Sequence, residues 1–95
     1  MMDMTEARAA IDAADRELAA LFLRRMEAVR AIAEEKRAKG LPILDPAREA
    51  EKLDRAAEWF SDEALRPYFL DLLRETMRVS RDYQRALLGR EEDAV

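Results

Sequence analysis

The chain has 95 residues, 40% of them charged and 49% hydrophobic, with a formal net charge of −4. That balance describes one small folded domain, neither disordered nor membrane-spanning. It contains no Cys and no His, which excludes disulfides, thiol nucleophiles, and the commonest general base and metal ligand.

The acidic balance offers no surplus of cations to neutralise phosphates, so nucleic acid is not an expected partner. The longest apolar run, Leu18 to Leu23, is too short to cross a bilayer, and no signal-peptide core opens the chain. No membrane association and a cytoplasmic location are therefore expected. Ala supplies 18 residues and Leu 12, whereas Val, Ile and Thr together supply 8. Helix formers dominate and strand formers are scarce, so the expected class is all-α.

Punctuation falls at Gly40 and Pro42, at Ser61-Asp62 and at Gly89, giving three helices. The first is predicted from Thr5, a candidate N-cap, to Lys39, with Gly40 as the stop. Its stripe is Ile11, Ala14, Leu18, Leu21, Arg25, Ala28 and Ile32, widened by Phe22 and Val29. The second begins at Asp45-Pro46, a favoured cap and first-turn pair, and runs to Trp59. Ala50, Leu53, Ala57 and Phe60 are its predicted inner face, with Trp59 also assigned to the core. The third starts near Pro67, after a short capped turn over Ser61 to Arg66, and ends at Leu88 before Gly89. Its stripe is Phe69, Leu73, Thr76, Ser80, Gln84 and Leu87. Residues 1–95 are read as a single domain, with 1–4 and 90–95 frayed.

A first helix of 35 residues spans about 52 Å, whereas a compact chain of this length has a diameter near 30 Å. The rest of the chain cannot cover it. A second copy is expected to complete its stripe, which makes an intertwined homodimeric helical bundle the economical architecture.

Several polar residues stand where apolar ones belong. Arg25 interrupts the first stripe, and a guanidinium on a buried seam needs an anion. Lys36 lies eleven residues on, within about 20° of the same face. Ser80 and Gln84 occupy the third stripe at i and i+4. Asp45, Arg48 and Glu49 open the second helix. Arg8 precedes Arg25 by seventeen residues, about 25 Å and roughly 100° around the helix, so it does not easily join the same site in its own chain, whereas an antiparallel second copy could bring it in. Taken singly these residues have ordinary explanations: an edge cation, a capping Asp, a tolerated Ser, a solvated Arg. Together they describe a polar pocket inside a bundle, suited to a small polyanion.

The set Arg8, Arg25, Lys36, Asp45, Arg48, Glu49, Ser80 and Gln84 resembles that of the all-helical chorismate mutases, the AroQ class. The resemblance covers Ala7 to Leu88. It includes Ile11-Asp12-Ala13-Ala14-Asp15 followed by Arg25, and Lys36 followed by Asp45-Pro46-Ala47-Arg48-Glu49. The segment Ser80-Arg81-Asp82-Tyr83-Gln84 closes it. The resemblance implies an intertwined dimer with two equivalent sites. It also implies a cofactor-free and metal-free isomerisation of chorismate, a dianion, to prephenate. By the same resemblance Arg25 and the partner's Arg8 clamp carboxylates, while Lys36 and Gln84 donate to the ether oxygen. Asp45 and Glu49 receive the ring hydroxyl, and Arg48 and Ser80 support carboxylate binding. An isochorismate pyruvate lyase of the same fold, a non-catalytic helical dimer and, least favoured, a DNA-binding helical dimer are the alternatives. The acidic pair Asp45 and Glu49 favours the mutase over the lyase.

Overall fold

A computed structural model describes residues 1–90. They form three helices and, among them, no strand: α1 spans Met4–Lys39, α2 Pro46–Ala57 and α3 Arg66–Leu88.

The α1 cap is Asp3 and not Thr5, whose residue lies inside the helix. The extended backbone of Asp3 lets its carboxylate accept the Glu6 N–H at 2.8 Å, and a carboxylate also favours the positive helix end. At the other terminus Gly40 takes φ 65°, and the Leu41 N–H returns to the Lys36 carbonyl at 2.9 Å. Asp45 caps α2 by accepting the Arg48 N–H at 3.1 Å, with Pro46 next in line. This helix stops at Ala57, two residues short of the expected Trp59. Its last amides, those of Glu58 and Trp59, turn inward to carbonyls three residues back, a tightening common at helix ends. The Ser61–Arg66 turn is capped by Asp62, which accepts from Ala64 N–H at 2.9 Å, and α3 follows directly. Gly89 ends α3 at φ 64°. The expectation of a frayed tail falls mostly on residues 91–95, outside the described residues.

Helix α3 is the centre of the fold, packing against both α1 and α2, which do not pack on each other. Ala56, Leu73 and Met77 form the α2–α3 core, flanked by Leu53, Phe69 and Leu70. Ala56 takes the place expected for Ala50, which is exposed. On α1 the buried residues are Val29 and Ala33, and Ile43 plugs the loop between α1 and α2. Phe60 is half-buried and meets Phe69 with ring centroids 4.6 Å apart and planes tilted by 42°. Trp59 does not reach the core: it is 61% exposed and meets the Phe69 ring at 6.1 Å. The early end of α2 carries it past the α2–α3 seam.

The first half of α1 has no cover. None of residues 4–24 is buried, and Ile11, Leu18, Leu21 and Phe22 are all exposed. The chain measures 53 × 25 × 19 Å with a radius of gyration of 16.4 Å, against about 12 Å for a compact domain of this length. Its accessible surface is 7356 Å², where about 5,600 Å² is usual. No helix among the described residues is long and apolar enough to cross a membrane.

Candidate active site

The second half of α1, the loop after it, the first two turns of α2 and the second half of α3 line a half-open cavity of about 210 Å³. From α1 come Arg25, Val29, Ile32 and Lys36, whose spacings of four, three and four keep one face toward it. From α3 come Met77, Ser80, Arg81 and Gln84, and from α2 and its cap Asp45, Arg48, Glu49 and Lys52. Val29, Ile32, Ile43 and Met77 supply the apolar part of its lining.

Cations prevail here. Arg25, Lys36, Arg48, Lys52 and Arg81 face two carboxylates, those of Asp45 and Glu49. Arg25 donates to the Ser80 hydroxyl, which itself donates to the Thr76 carbonyl one turn back at 2.9 Å. That second bond fixes the hydroxyl so that its lone pairs meet the guanidinium. Burial holds Arg25 below the usual arginine value, yet a guanidinium stays charged. Lys36 donates to the Ile43 carbonyl, which ties its ammonium to the loop. Glu49 is held at both oxygens, 2.6 Å each, by one guanidinium nitrogen of Arg81. Gln84 is buried, and its Oε1 has no hydrogen-bond partner among the described residues. No group of three or more Asp or Glu among those residues is placed to hold a metal ion.

Seven of the eight residues singled out in the sequence thus surround one cavity: Arg25, Lys36, Asp45, Arg48, Glu49, Ser80 and Gln84. Arg8 does not. It sits on the uncovered half of α1, seventeen residues and about 25 Å from Arg25.

The sequence model of the family described as chorismate mutase type II matches residues 7–85. The chain belongs to that family. No curated protein and no solved structure matches it. The matched span contains Arg8 and every residue that lines the cavity.

Two charged residues of this chorismate mutase family member escaped the sequence reading. Lys52 stands four residues after Arg48 on the same face of α2, and that spacing was available as a signal. Arg81 adjoins Ser80 in sequence, but its partner Glu49 lies 32 residues away, and no local pattern connects them.

Proposed function

We propose that the protein is a chorismate mutase, converting chorismate to prephenate in phenylalanine and tyrosine biosynthesis. The observation that carries this reading is the cavity itself: a family-matched chain folds Arg25, Lys36, Ser80 and Gln84 around one small space with an apolar wall. A ring bearing two carboxylates suits such a space, since the wall takes the ring and the cations take the charge.

The rearrangement is unimolecular. The ether C–O bond breaks as a C–C bond forms, and negative charge grows on the ether oxygen. No proton transfer or nucleophile is needed, which agrees with a chain lacking His and Cys. Arg25, already oriented by Ser80, clamps one carboxylate and holds the side arm folded over the ring. Lys36 and the amide of Gln84 aim donors at the ether oxygen, a preorganised electrostatic stabilisation. Arg48 supports a carboxylate. Asp45 and Glu49 receive the ring hydroxyl.

A second copy completes the site. It lays its own apolar stripe on the uncovered half of α1 and delivers Arg8 of the partner subunit to the carboxylate held by Arg25. The excess accessible surface, roughly 1,700 Å² per chain, is of the size one partner contributes to an obligate dimer.

Adding purified protein to chorismate tests the reading. Loss of the diene absorbance with prephenate as product, without cofactor or metal, is the expected result. One observation favours a second reading. Asp45 already caps α2 and Glu49 is bound at both oxygens by Arg81, so both acids have structural work besides a ring hydroxyl. Pyruvate released from isochorismate, with chorismate untouched, would assign the chain to the lyase instead. Turnover of neither would leave a non-catalytic helical module.

A further inference from the structure

Lys52 has no place in the roles above, yet it lines the same cavity, half-buried, in the second turn of α2. Arg48 precedes it by four residues, which puts two cations side by side on one helix face, an arrangement that disfavours the helix. Arg25 approaches from α1 and adds a third positive charge. Neither Lys52, Arg48 nor Arg25 has a carboxylate partner among the described residues: Arg25 donates to a neutral hydroxyl. Of the nearby acids, Asp45 serves the α2 amides and Glu49 serves Arg81 of α3. Lys36 adds a further cation from α1 rather than relief.

We propose that Lys52 is an anion-binding residue of this cavity, its ammonium pairing with a carboxylate of the dianionic ligand beside Arg25 and Arg48. The identity of that ligand rests on the chorismate mutase reading; its charge does not. Three converging cations without a protein carboxylate among them repel one another, and a bound anion relieves that repulsion. Burial first, and then Arg25 and Arg48, hold Lys52 below the usual lysine range. An entering dianion reverses that balance and draws the proton back onto Nζ. Affinity therefore falls as pH rises through the lowered value, because the empty form must be reprotonated before it binds.

The test uses the full chain and the substitutions Lys52→Met and Lys52→Arg. Met keeps the stem and drops the charge, while Arg keeps a charge that does not titrate. Inorganic sulfate, a dianion throughout, is titrated calorimetrically at about pH 7.5 and at rising pH. Chorismate turnover is followed on the same samples. The expectation is that Lys52→Met weakens sulfate binding and raises the KM for chorismate, each about tenfold, with kcat within about threefold. Lys52→Arg restores both and flattens the alkaline loss seen in the wild type. Wild-type values for sulfate affinity and for KM in a folded Lys52→Met protein overturn the proposal. If sulfate binding depends on Lys52 but chorismate is not turned over, the mutase reading fails and the anion role of Lys52 stands. If chorismate is turned over with an unchanged KM and sulfate binding is likewise unchanged in Lys52→Met, the mutase reading stands and the role of Lys52 fails.

Discussion

Charge without a base is the chemistry available to individual residues here. Lys36→Ala is expected to lower kcat by about 10²–10³ with a smaller change in KM, the usual loss for a donor aimed at developing charge. Arg25→Ala should abolish measurable turnover, because it removes the clamp. Initial rates of diene loss decide both, and near wild-type rates in folded proteins would contradict the assigned roles. The Gln84 amide does not titrate, so kcat should be flat between about pH 6 and pH 8; a steep fall there would exclude it as the donor. Lys52 gives a signature of opposite sign in stability. A lysine whose folded value is lowered leaves the unfolded chain with more bound protons, so stability rises with pH between that value and the ordinary one. Melting curves of wild type and Lys52→Met should converge as pH rises through that window. Arg25, Ser80 and Gln84 were legible in the sequence because each broke an apolar stripe. Arg81 was not, because its meaning lies in a carboxylate brought to it by tertiary packing.

Helices were legible where their ends are chemically distinctive. Gly40, Gly89 and the Asp45-Pro46 pair marked boundaries that the backbone follows, since few other residues suit those conformations. Gly40→Ala should cost about 1–2 kcal/mol, the penalty of a side chain in the left-handed region. A Cβ there would meet nothing within 4 Å, so the cost is conformational alone and the cavity should survive. Urea unfolding measures the loss, and an unchanged midpoint would contradict the assigned geometry. Ends with competing candidates were less readable. Asp3 and Thr5 both suit a cap, and only the backbone geometry chooses Asp3. The end of α2 was misplaced because Trp59 and Phe60 look alike as apolar residues, while a two-residue difference in helix length sends one outward and the other onto Phe69.

Across the whole molecule, the mismatch between a 53 Å long axis and a small core was foreseeable from helix length alone. On the dimer reading, Leu21→Glu puts a charge on the face that the second copy covers. Light scattering should show a dimer for the wild type and a dissociated, inactive chain for the variant; a fully active wild-type monomer would refute the arrangement. The origin of Arg8 is tested separately. Arg8→Ala and Arg25→Ala chains are each expected to be inactive, but a mixed dimer has one intact site, so a co-refolded mixture should regain about a quarter of wild-type activity.

On the dimer reading, an overhanging α1 that finds its core only on another chain makes the last step of folding bimolecular. Refolding rate then depends on chain concentration, and slows on dilution where a self-contained bundle would not. On the same reading, interlocked subunits cannot trade partners without first losing their helices. Exchange between two finished dimers is then as slow as unfolding itself, and a subunit keeps for its lifetime the partner it folded with.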